Sequence, residues 1–64
     1  MDYTKINART DLQVGDLVRI DGTIGILYDI RLIQHVRSSK AYFEFRLESG
    51  FWVSRDQVEL IEER

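Results

Sequence analysis

The sequence predicts an all-β domain, a five-stranded small barrel with a long central hairpin, on three observations. Apolar residues recur at every second position through 24–32 and 41–48. The apolar runs are short and bounded by Gly, Asp and Ser, with no proline anywhere in the chain. No amphipathic helical pattern is available to cover a sheet, so the sheet must fold on itself, which buries both faces and removes most of its edges.

Taken in order, residues 1–10 are polar and without a clean period, and read as a tail or accessory segment preceding a barrel over 11–64. Thr10-Asp11-Leu12-Gln13 suits one short helical turn, because Thr and Asp bond readily to nearby backbone N–H groups. Val14-Gly15-Asp16 turns the chain, with Gly15 free to take a positive φ and Asp16 able to accept from the backbone beyond it. In the strand Leu17–Asp21, Val18 and Ile20 share one face and Arg19 takes the other, and Gly22 ends it.

From Thr23 the two-residue rhythm puts Ile24, Ile26, Tyr28, Ile30 and Leu32 on one apolar, inward face. Leu27 and Ile33 fall on the other face, which calls for a bulge that shifts the register or for a partner that covers them. Arg37–Lys40 is a polar hairpin tip without glycine, hence a longer loop. The return strand Ala41–Glu48 sends Phe43, Phe45 and Leu47 inward and Tyr42, Glu44, Arg46 and Glu48 outward. Ser49-Gly50 turns into a strand Phe51-Trp52-Val53, Ser54–Gln57 is a polar corner able to cap a single 3₁₀ turn, and Val58–Ile61 closes the set.

Composition limits what the domain can be. A chain of 64 residues buries only about 60% of the surface its unfolded form exposes. It has no cysteine to staple it and no Cys/His set for a structural zinc, so it depends on apolar packing or on association. At 44% hydrophobic and 31% charged residues it belongs with ordinary globular chains. A net charge of −2 excludes coating nucleic acid by bulk positive charge. No export leader or spanning segment is indicated, and the absence of cysteine suits the cytoplasm.

Val14-Gly15-Asp16-Leu17-Val18, followed by Gly22 and Gly25-Ile26-Leu27, resembles the opening of SH3-like barrels of the KOW and Tudor kind. Ser49-Gly50-Phe51-Trp52-Val53, the polar corner and Val58–Ile61 are similar to the closing strands of such domains. The resemblance covers roughly residues 12–62 and implies fold more than function. SH3 domains that bind polyproline carry a proline near the penultimate turn and an acidic, aromatic first loop. This sequence has neither, so that ligand is not implied. The layout is also shared by type II dihydrofolate reductases, whose active-site strand carries Val-Gln-Ile-Tyr. The corresponding Phe51-Trp52-Val53-Ser54 does not match.

Catalytic chemistry finds little footing. His35 is the sole histidine, no serine sits in a nucleophile motif, and no triad can be assembled. Asp11, Asp16, Asp21 and Asp29 match no calcium loop and each has a turn or strand end to serve, so neither metal nor cofactor is expected. Glu44 and Glu48 have Arg46 between them, a pattern for cross-strand pairing rather than for acid/base work.

Two signals point to binding. Arg31, His35, Arg37 and Lys40 form a basic segment free of acids, which could grip phosphate in a nucleic acid with an aromatic to stack a base. Seven aromatics exceed what five short strands hold inside, so Tyr42, Trp52 and Tyr28 should reach the surface beside Arg46. The leading expectation is a non-catalytic adaptor engaging a protein partner or itself through Tyr42, Trp52, Arg46 and Tyr28, in an accessory bacterial or phage protein. Nucleic-acid binding by the basic hairpin is the second expectation, and a homo-oligomer that buries Leu27 and Ile33 between copies is the third.

Overall fold

The computed structural model describes residues 10–64; the remainder of the N-terminal segment set apart above lies outside the described residues. The fold is all-β, with strands β1 Leu17–Ile20, β2 Thr23–Ile26, β3 Asp29–His35, β4 Lys40–Arg46, β5 Val53–Ser54 and β6 Val58–Glu62, and a 3₁₀ turn over Arg55–Gln57. They form two antiparallel three-stranded sheets, ordered β2-β1-β6 and β3-β4-β5. Among the described residues six strands in two sheets replace the expected five, and these sheets do not close into a barrel.

The extra strand arises because the long run from Thr23 is two strands, interrupted at Leu27-Tyr28. On one side of the break Leu27 N–H donates to Asp16 O at 2.8 Å; on the other, Tyr28 N–H donates to Arg46 O at 3.0 Å. Consecutive residues of an extended chain present their backbone groups to opposite edges, so the chain leaves β1 and joins β4 within two residues. The expected inward face is corrected accordingly. Ile24 and Ile26 are 53% and 56% exposed, Tyr28 is exposed, and Leu27 is the residue that is fully buried. Leu27 therefore belongs to the chain's own core, not to a contact between copies.

The core is Leu12, Val18, Ile20, Leu27, Phe45 and Val58, with Ile30, Phe43, Leu47, Val53 and Leu60 packed against it. β1 supplies Val18 and Ile20 from one face while Arg19 crosses the other to Glu59 of β6 at 2.6 Å. β4 supplies Phe45 and, beside it, Phe43, as the alternation predicts.

The turns follow from their residues. Asp21 and Gly22 have φ of 49° and 78° and join β1 to β2 across the pair Ile20↔Thr23, a two-residue hairpin whose left-handed positions suit Asp-Gly. Gly15, at φ 105°, sends its N–H to Leu27 O at 2.9 Å. Asp16 is 2% exposed and fully used: Oδ2 accepts from Gln13 N–H at 2.9 Å and Oδ1 from Arg64 N–H at 2.9 Å. It thus fastens the chain before it and the C-terminus, rather than the strand that follows. Residues 10–13 form no helical turn. Thr10 Oγ1 accepts from Leu12 N–H at 3.1 Å, and the segment is held by Leu12 in the core and by Asp11. The tip of the β3–β4 hairpin is Val36–Ser39, with Lys40 already in β4. Phe51 and Trp52 precede β5 rather than forming it, and Phe51 is 91% exposed.

Asp11 and Arg55 make a two-pronged pair, Nε to Oδ1 at 2.9 Å and Nη2 to Oδ2 at 2.8 Å, while Arg55 Nη1 donates to Val58 O at 2.7 Å. The hydrogen bonds from Arg55 hold the Asp11 carboxyl below its ordinary value, and the same bonds raise Arg55. A carboxylate with a depressed folded value stabilises the fold above its unfolded value, and that contribution disappears as pH falls through the depressed value. The pair is solvent-exposed, so it contributes at most about 1 kcal/mol. Asp11→Asn should remove this small increment at neutral pH and flatten the acid limb of stability, measured by urea unfolding across pH. Stability near about 0.05–0.15 kcal/mol per residue gives roughly 3–10 kcal/mol for the whole chain. Phe45→Ala, costing about 3–5 kcal/mol, should therefore remove a large share of that stability, read as a fall in the urea midpoint by circular dichroism.

Candidate functional site

The register of β3 on β4 assigns the faces of the central hairpin. Ile30↔Phe45, Leu32↔Phe43 and Gln34↔Ala41 share the inner face, while Asp29↔Arg46, Arg31↔Glu44, Ile33↔Tyr42 and His35↔Lys40 share the outer one. Trp52 immediately precedes β5, which pairs Val53 with Phe45 and Ser54 with Glu44, so the indole lies on the same outer face. Ile33 is half-buried there.

On this face cations and rings alternate. The Arg31 guanidinium lies 4.2 Å from the Trp52 ring centre, and the Arg46 guanidinium lies 5.2 Å from Trp52 and 4.8 Å from Tyr28. The order is Tyr28, Arg46, Trp52, Arg31. Each contact is worth about 0.5–1 kcal/mol when exposed, and together they fix the orientation of four large side chains. Hydrogen bonds hold the cations in place. Arg31 donates through Nε and Nη2 to Glu44 Oε1 at 2.9 and 2.7 Å. Arg46 donates from Nη1 to Leu47 O at 3.3 Å and Glu48 O at 2.9 Å. Glu44 neutralises Arg31; among the described residues no carboxylate makes a salt bridge with Arg46.

Of the residues singled out in the sequence, Tyr28, Arg46 and Trp52 come together and Tyr42 lies farther along the same face. Tyr42 stacks with His35 at 5.7 Å between ring centres, inclined by 22°, with Nε2 and the hydroxyl 3.5 Å apart. The basic set does not gather. Arg31 is committed to Glu44 and Trp52, His35 to Tyr42, while exposed Arg37 and Lys40 stand at the hairpin tip. The aspartates disperse as well. Asp11 is on Arg55, Asp16 is buried, Asp21 is in a turn, and Asp29 accepts from Ile30 N–H at 2.8 Å. Among the described residues no cluster of three or more His, Cys, Asp or Glu converges on a point, and no helix is long and apolar enough to cross a membrane.

A second feature escaped the sequence reading. A groove of about 630 Å³ runs along β2, lined by Val14, Ile24, Ile26, Tyr28, Leu47 and Glu48 among others. Its isoleucines, inward by alternation, are exposed because the two-residue rhythm runs across the break at Leu27 into a different sheet. A smaller hollow of about 210 Å³ adjoins it across Thr23, Leu47 and Ser49.

The chain matches no known family model, no curated protein and no solved structure.

Trp52 is the single tryptophan, so its emission reports directly on the alternating stack. Removing the guanidinium that lies against both Tyr28 and Trp52 admits water to both rings. Arg46→Ala should shift Trp52 emission to longer wavelength and cost about 1–2 kcal/mol by the sum of the two contacts, read by fluorescence and denaturant unfolding. Arg37→Ala, at the hairpin tip, should change neither.

Proposed function

We propose that this chain is a non-catalytic interaction module of SH3-like strand order, open along one seam, that engages a protein partner through the outer face of β3, β4 and β5. The strand pairings β1 with β2 and β6, β3 with β4, and β4 with β5, with a 3₁₀ turn ahead of the last strand, support the SH3-like reading. The observation that carries the functional reading is the ordered row Tyr28, Arg46, Trp52, Arg31.

Trp, Tyr and Arg dominate binding energy at protein interfaces, and prior immobilisation lowers the entropy lost when they are covered. Here Arg46 has a half-satisfied charge: its Nη1 donates to carbonyls, and among the described residues no carboxylate answers it. A partner offering a carboxylate and a flat apolar group to Arg46 and Trp52 fits that arrangement. Arg37 and Lys40 steer approach from the hairpin tip. The cytoplasm is the proposed compartment, on the strength of a chain free of cysteine.

Nucleic-acid binding by the hairpin is less well supported, because Arg31 is neutralised by Glu44 and the remaining cations are few. Trp52→Ala should weaken partner binding by about 2 kcal/mol or more, roughly 30-fold, measured by calorimetry with the protein recovered by cross-linking through this face. Affinity should vary little with salt. A steep fall with ionic strength, together with loss of binding in Arg37→Glu/Lys40→Glu, would instead assign the hairpin to phosphate contacts.

A further inference from the structure

The inference goes beyond the aromatic face to a separate surface, the edge of β2. In the β1–β2 hairpin the pairs Ile20↔Thr23 and Val18↔Gly25 flank the two-residue turn at hydrogen-bonded spacing, and Leu27 N–H to Asp16 O continues the same parity. The N–H and C=O groups of Ile24 and Ile26 therefore point away from β1. On that side β4 ends at Arg46, and Leu47–Gly50 turns away, closed by Gly50 N–H to Leu47 O at 3.1 Å. The sheet order β2-β1-β6 leaves this edge without a neighbouring strand among the described residues.

Among the described residues nothing protects the edge. Thr23-Ile24-Gly25-Ile26 contains no charge, proline or bulge, the devices that keep exposed strands from pairing. The side chains of Ile24 and Ile26 project to the outer face opposite Arg19 and Leu17, more than half exposed.

We propose that the edge of β2 pairs with the same edge of a second copy of this chain, antiparallel and centred on Gly25, to form a two-fold dimer with one six-stranded sheet. Self-complementarity and the central glycine support a second copy as the occupant. Placing Ile24 opposite Ile26 of the other copy sets donor against acceptor at both residues of both chains, which a two-fold axis at Gly25 satisfies without a shift of register. The same register brings the four isoleucine side chains side by side on the outer face. It leaves the Arg19–Glu59 pair, already joined at 2.6 Å, at the rim, so no unpaired charge is buried. Gly25 falls at the close-approach position between strands, where a residue lacking a side chain is accommodated most readily; Leu47 lies against its inner side, 3.3 Å from where a Cβ would stand. A four-residue edge covers less than the about 1,200 Å² of a standard interface, so the association is weak and reversible.

Sedimentation velocity from micromolar to millimolar protein, paired with amide hydrogen exchange by NMR, tests this directly. The expected result is a monomer–dimer equilibrium in which the Ile24 and Ile26 amides gain protection as concentration rises, while those of Thr23 and Gly25 are protected throughout. Ile24→Lys/Ile26→Lys should be monomeric at every concentration with wild-type Trp52 emission, and Trp52→Ala should dimerise as wild type does. A wild-type chain that stays monomeric at millimolar concentration overturns the proposal. So does a dimer that persists in the double-lysine variant, or one whose Ile24 and Ile26 amides exchange independently of concentration.

Discussion

The fold turns on the exchange of hydrogen-bonding partners at Leu27 and Tyr28. One peptide N–H belongs to the first sheet, through Asp16 O, and the next belongs to the second, through Arg46 O. Because these donations point to opposite edges, the two sheets cannot slide relative to each other without breaking one of them, at a cost of about 1–3 kcal/mol for each buried group left unpaired. Leu27 is driven into the core at the same place, so apolar burial and backbone pairing enforce a single geometry. Asp16 supports it from beneath by holding Gln13 and Arg64, which ties the segment before β1 and the chain's end to the same acceptor loop.

That exchange also explains what was legible in the sequence and what was not. Over Lys40–Arg46 the alternation describes one strand with one buried face, and Phe45 inward with Tyr42, Glu44 and Arg46 outward follows from it. Over 24–32 the same rhythm spans two strands. Periodicity records only that the chain is extended; it does not record that a side chain's inward direction changes meaning when the strand passes from one sheet to another. Leu27 carried the warning, as an apolar residue out of phase with its neighbours, and the covering bulge or partner inferred from it proved to be the break itself. The 3₁₀ turn at Arg55–Gln57 was readable because Ser54 and Gln57 carry their own local chemistry, Gln57 Oε1 accepting from Ser54 N–H at 3.2 Å.

The outer face shows a similar division. That Arg46 lies outward follows from parity and that some aromatics reach the surface follows from composition, whereas parity alone sends Tyr28 inward and only the break at Leu27 turns it out. That they interleave does not follow, because Trp52 comes from a segment more than twenty residues beyond Tyr28 and meets it only through the pairing of β4 with β3 and β5. The charge of the basic segment is likewise not legible along the chain alone. Arg31 counts as a free cation along the sequence, whereas the cross-strand register places Glu44 directly opposite and cancels it. Local charge is a poor guide on a hairpin, where the nearest neighbours of a residue lie on the other strand.

Arg46 joins the two surfaces. Its guanidinium lies between Tyr28 and Trp52 on the outer face, while the same group holds the carbonyls of Leu47 and Glu48, the residues that turn the chain away from β2 and wall its groove. The residue most central to the aromatic row is thus also the one bonded to the turn that follows β4.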